Sequence, residues 1–148
     1  MAQHTISVYL LNNAGVDITD IHFLHRYDSD LYQPATLDKL GHGHSYPIGK
    51  ATYWTGFLRT GYDYWWVSFV REGKTYTCKA NFYCYLTADD ADGCVTLVLS
   101  QTEMTVIPYS SSSCNVSLYE ESDLVHLIGQ GLQSEHEQSL KEMQPNHN

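Results

Sequence analysis

The stretch Tyr62-Asp63-Tyr64-Trp65-Trp66-Val67-Ser68-Phe69-Val70 decides the fold. Seven of its nine residues are aromatic or β-branched, the side chains that fit a pleated surface. A strand sends successive side chains to opposite faces. Tyr62, Tyr64 and Trp66 therefore share one face, and Asp63, Trp65, Val67 and Phe69 share the other. The second set reads as core. The first is amphipathic, with rings whose polar tips suit a half-wet surface.

Working outward, Arg71-Glu72-Gly73-Lys74 reads as a hairpin loop, and Thr75 to Leu86 returns from it. Upstream, Ile6, Val8 and Leu10 alternate with Ser7 and Tyr9 until the turn signal Asn12-Asn13-Ala14-Gly15. Ile21, Phe23, His25 and Tyr27 share one face of a second strand, which ends at Asp28-Ser29-Asp30, and Thr52 to Leu58 forms a third. Downstream, Val95, Leu97 and Leu99 alternate, and Met104 to Ile107 and Cys114 to Tyr119 flank a serine loop. About eight strands with turn signals every 8 to 12 residues predict an all-β domain over residues 1–120, a sandwich or jelly roll. From residue 121 to 148 the pattern changes. Leu124, Leu127, Ile128 and Leu132 recur at helical spacing, and an acidic, partly helical or frayed tail is expected.

A chain of 148 residues, 43% hydrophobic and 13% aromatic, suits one compact domain and excludes disorder over most of its length. Its formal charge of -9 argues against a nucleic-acid backbone as partner. No apolar run approaches the roughly 20 residues of a transmembrane helix. The first residues lack the basic, then apolar, pattern of a secretory signal, so a cytoplasmic location is expected. On that ground Cys78, Cys84, Cys94 and Cys114 are expected as free structural thiols, and the sequon Asn115-Val116-Ser117 as idle.

Chemistry is sparsely signalled. His42-Gly43-His44 has a chelating spacing, and with Asp28 and Asp30 it gives a minor reading as a metal-dependent hydrolase. A solvated loop is the simpler reading, because no third ligand is fixed by spacing. His22 and His25 lie three apart, on opposite faces of a strand. Asp89-Asp90-Ala91-Asp92-Gly93 fails the calcium-loop register, with Ala88 and Leu99 at the first and twelfth positions. No nucleophile elbow, zinc-protease helix or phosphate loop is present in the sequence, so a non-enzymatic protein without cofactor is expected.

The aromatic surplus carries the functional expectation. Twelve Tyr, four Phe and three Trp exceed what packing alone needs. The leading reading is a binding or assembly protein, dimeric through β surfaces, using the Tyr62, Tyr64 and Trp66 stripe. The alternative is recognition of a carbohydrate or a neutral lipid headgroup by Tyr53, Trp54 and the turn from Gly61 to Asp63.

Several segments carry a family resemblance: Asn12 to Asp20, His25 to Asp30, Tyr53 to Gly61, Asp63 to Val67, Thr77 to Leu86 and Ser113 to Tyr119. Over residues 5 to about 120 the chain resembles the family called "up-regulated in Daf", small cytosolic proteins of nematodes and fungi. The resemblance implies a jelly-roll β-sandwich similar to the aegerolysins, which bind membrane sphingolipids, and a tendency to dimerise. It carries over no catalytic residue.

Overall fold

A computed structural model describes residues 2–29, 31–56 and 61–122. The strands in chain order are β1 (Ala2–Asn12), β2 (Ile18–Tyr27), β3 (Leu31–Leu40), β4 (Ser45–Thr55), β5 (Asp63–Arg71), β6 (Lys74–Thr77), β7 (Phe82–Tyr83), β8 (Val95–Leu99), β9 (Glu103–Ile107), β10 (Cys114–Ser117) and β11 (Tyr119–Glu120). A single 3-10 turn at Ala88–Asp92 separates β7 from β8. Two sheets result. One has the order β10-β9-β8-β1-β4, the other β11-β6-β5-β2-β3 with β7 also paired to β5. Every pairing is antiparallel except β1 with β8. The protein is an all-β sandwich, as the alternation predicts.

Alternation places the core. Ile6, Val8 and Leu10 of β1, Ile21, Phe23 and Tyr27 of β2, Trp65, Val67 and Phe69 of β5, and Val95, Leu97 and Leu99 of β8 are all buried. Phe23 and Trp65 meet with ring centroids 6.3 Å apart. The turn after β1 is pinned by buried Asn12, whose Nδ2 donates to the carbonyls of Val16 and Leu40 while its Oδ1 accepts from Ala14. At the β5–β6 hairpin both turn residues, Glu72 and Gly73, have positive φ, the conformation that matches the twist of the flanking strands.

Three expectations are corrected. First, residues 31–40 form a full strand that hydrophobic patterning does not reveal. β3 is an edge strand. An edge tolerates Pro34, which has no N–H to donate, and its mostly half-exposed side chains give little apolar contrast. Second, the return from the hairpin is two short strands, because the chain breaks off after Thr77 and resumes at Phe82.

Third, the cysteines are not all free. Cys84 and Cys114 form a disulfide across a Cα separation of 5.9 Å, and Cys78 and Cys94 remain thiols. One partner lies just past β7 and the other at the start of β10, 30 residues on, so no local spacing announces the pair. The bond runs against the cytoplasmic reasoning on which free thiols were expected, since disulfides persist in oxidising compartments. Burial pushes the Cys78 thiol up to about 12, as befits a packed, inert sulfhydryl. Among the described residues no helix is long and apolar enough to cross a membrane. The helical tail expected from Leu124 to Leu132 lies outside the described residues.

Candidate functional site

The outer face of the six-stranded sheet carries the surplus rings. From Asp63 to Val70 the burial alternates, so Trp65 is sealed while Tyr64 and Trp66 are half-buried on the outside. Tyr83 of β7 stands opposite Tyr64 in the ladder, which brings their rings to 6.1 Å. Tyr62 approaches Tyr83 edge-on at 5.0 Å and Tyr64 at 6.4 Å, and Tyr83 stacks on Tyr85 at 6.3 Å. Four tyrosines thus form one continuous cluster. Tyr62, Tyr83 and Tyr85 are 49%, 41% and 45% exposed, large values for rings in mutual contact.

Two depressions flank this ridge. A cleft of about 450 Å³ is bounded by Trp54, Tyr62, Tyr83, Tyr85, Leu86 and Thr87, among others. A more apolar groove of about 400 Å³ lies between Leu24, Tyr32, Pro34 and Trp66. The cleft rim is held from below. Asp28, at positive φ, accepts the Tyr62 N–H on Oδ1 at 2.7 Å and donates its own N–H to the Tyr62 carbonyl at 2.9 Å. A Cβ added at Gly61 would overlap the Tyr27 ring and hydroxyl, so only glycine fits there. Burial, reinforced by Tyr62, Asp63, Tyr85 and Tyr64, raises the Tyr83 hydroxyl above its ordinary value.

Arg26 lies on the same face, between inward-facing His25 and Tyr27. Its guanidinium is 4.0 Å from the centroid of the Tyr64 ring, a cation–π contact. Its Nη1 donates to the Asp28 carbonyl at 2.5 Å. Arg26 is only 4% exposed, yet Nε and Nη2 have no hydrogen-bond partner.

Behind the ridge runs a buried polar chain. His25 and Asp63 are 0% and 2% exposed, with Nε2 and Oδ1 2.7 Å apart. Gln33 fixes the protonation. Its Oε1 accepts the Thr52 N–H at 2.7 Å and faces His25 Nδ1 at 2.8 Å, so Nδ1 must donate. One further proton is then shared between Nε2 and the carboxylate. Burial raises the Asp63 carboxyl, against the lowering pull of its hydrogen bond from His25, the charge of His25 and the Leu86 N–H. With both members sealed from solvent, the pair is structural.

Several expected site residues fall elsewhere. Tyr53 is fully buried and donates its hydroxyl to the Thr87 carbonyl at 2.8 Å; burial and the charges of Asp90, Asp63 and Asp92 raise its pKa. Asp63 belongs to the interior pair. Tyr53 and Asp63 therefore do not face a ligand, whereas Trp54, Tyr62, Tyr64 and Trp66 are placed on or beside the depressions. The metal candidates do not converge. His42 and His44 lie past one end of β3 and Asp28 before the other, roughly 30 Å away for a ten-residue strand. Asp30 lies outside the described residues, and among those described no trio of His, Cys, Asp or Glu is close enough to hold a metal. Exposed His42 instead accepts the Gly15 N–H on Nδ1 at 3.0 Å. Tyr83, Tyr85 and Arg26 are the additions that the sequence did not single out, and Asp28, expected as a metal candidate, instead braces Tyr62. No protein-family model matches the chain, and no curated protein matches it either.

Proposed function

We propose that this is a non-enzymatic binding protein whose tyrosine face takes a saccharide by ring stacking. The observation that supports it is a line of tyrosines in mutual contact, three of them more than 40% exposed, along a concave cleft. Phenol rings with their hydroxyls at the edge of the cleft supply what a sugar needs, flat apolar faces beside short polar groups. Evolved monomers rarely leave such rings in water without a partner. The resemblance to the "up-regulated in Daf" family accords with a small binding module, and membership of it is part of the proposal.

A second reading, self-association through the same face, is favoured by the apolar groove beside Trp66 and Leu24. A neutral lipid headgroup is a variant of the first reading, since the charge of -9 disfavours anionic membranes.

The test is a glycan and neutral-liposome array read with the wild type and with Tyr62→Ala/Tyr83→Ala, alongside solution mass. Saturable binding lost in the double variant at unchanged mass supports saccharide or headgroup recognition. A dimer that the double variant dissociates, with no ligand on the array, makes the face an assembly surface. Unchanged mass and unchanged binding in the variant would reduce the ridge to packing.

A further inference from the structure

We propose that the tyrosine face selects a sugar bearing one carboxylate, and that the Nε and Nη2 edge of Arg26 is the carboxylate's seat. The proposal rests on the saccharide reading above and adds the ligand's charge to it.

A guanidinium is planar, and its N–H groups form forks of fixed geometry. In Arg26 one part of the plane is committed, with Nη1 bonded to the Asp28 carbonyl. The two nitrogens left without partners, Nε and Nη2, are neighbours on one edge. Their parallel N–H bonds match the two oxygens of a carboxylate. A cation 96% withdrawn from solvent without an anion is unfavourable, and protein interiors rarely keep one unless something completes it. Among the described residues the nearby acids do not do so. The Asp28 carboxylate is engaged by the Tyr62 N–H, and Asp63 points to the other side of the sheet, toward His25. The register partners of Arg26 are Tyr32 and Tyr64, and neither supplies a negative charge.

Position links this edge to the cleft. Tyr64 covers the guanidinium at 4.0 Å and touches both Tyr62 and Tyr83, which bound the cleft. A sugar stacked on Tyr62 and Tyr83 is thus one ring away from Arg26. Entry of a carboxylate requires the half-buried Tyr64 ring to turn aside, a rotamer change of the kind common at binding surfaces. The overall charge of -9 limits the ligand further, because a polyanion is repelled while a single carboxylate on a neutral ring is not strongly so.

The experiment compares methyl glucoside with methyl glucuronide, which differ in one carboxylate, by titration calorimetry on the full chain. The wild type should prefer the glucuronide by about tenfold or more, the worth of a charge-assisted fork. Arg26→Lys keeps the charge and loses the fork, and should cut the preference to about threefold or less. Equal affinity for both sugars, or a preference that survives Arg26→Lys, overturns the proposal and leaves the saccharide reading standing. If neither sugar binds, both fall. Because Arg26 is buried and its replacement disturbs the fold, the wild type provides an independent reading. With nitrogen-labelled arginine, the Arg26 Nε–H resonance should shift on adding glucuronide and stay put with glucoside. A glucuronide that moves tyrosine signals but not this one refutes the seat. Octanoate binding as tightly as glucuronide would also refute it, by showing an anion site indifferent to the sugar.

Discussion

Two buried carboxylates, Asp63 beneath the tyrosine ridge and Asp90 beneath the serine loop, show how differently one fold can treat the same group. Both are almost without exposure, at 2% and 0%. Asp63 has two partners, His25 on Oδ1 and the Leu86 N–H on Oδ2 at 3.2 Å. Asp90 accepts the N–H groups of Ser110 and Ser111 on Oδ1, and the N–H and hydroxyl of Thr87 and the hydroxyl of Ser111 on Oδ2. Burial pushes both carboxyls up. For Asp63 the shift stays upward, whereas for Asp90 the bonds from Ser111, Thr87 and Ser110 more than offset burial and hold it below its ordinary value. The sign follows from the balance of donors against burial, and burial weighs more heavily on Asp63.

That contrast can be broken most forcefully at Asp63. Asp63→Ala strands His25 in the core and should cost roughly 3–5 kcal/mol in urea unfolding, whereas a loss near zero would show the pair to be dispensable. Next comes the disulfide, which closes the same serine loop that Asp90 holds. Cys114→Ser should cost about 3 kcal/mol by chain entropy. If Asp90 and the disulfide hold the loop jointly, combining Cys114→Ser with Asp90→Asn should depart from additivity in a double-mutant cycle.

The smallest effect is the most discriminating, since it concerns sign. Asp90, held low, contributes stability that is present above the ordinary carboxyl pKa of about 3.9 and lost as pH falls through its lowered value. Asp63, held high, does the reverse: its contribution is full below that ordinary value and lost as pH rises through the raised one. Unfolding measured from about pH 3 to pH 7 should therefore show a shallower acid loss in Asp90→Asn by about 1–2 kcal/mol. Asp63→Asn should instead remove a loss on the rising side. Slopes of the same sign in both variants would contradict that balance of donors against burial.

Much of this architecture is legible in sequence, for a definite reason. Wherever one face of a strand is sealed, the period of two survives in β1, β2, β5 and β8, and it also places Tyr62, Tyr64 and Trp66 outside. It fails at β3, where an edge position and Pro34 blur the contrast. It holds again from Cys78 to Leu86, where Cys78, Ala80, Phe82, Cys84 and Leu86 are buried and Tyr83 and Tyr85 exposed; what the period does not tell is that these two rings join Tyr62 and Tyr64 in one cluster. Arg26 is hidden differently: flanked by core-facing His25 and Tyr27, it reads as an ordinary surface cation, and only coordinates reveal that neighbouring rings bury it. The acidic run at Asp89 to Asp92 invites a metal reading, yet Asp90 turns inward to bind peptide N–H groups. The Cys84–Cys114 pair joins positions 30 residues apart, one just past β7 and the other in β10, a relation that linear spacing does not encode.

The Gln33 side chain has a consequence at the margin of the sandwich. β3 and β4 end their respective sheets, and Gln33 reaches from one to the other, taking up the Thr52 N–H and bonding its hydroxyl at 3.0 Å. A main-chain donor that would otherwise invite a strand from another molecule is occupied from within. Pro34 and Pro47 remove two more donors along the same margin. The molecule thus carries a seam that offers an incoming strand a broken ladder, while among the described strands β7, β10 and β11 lie at the other margins.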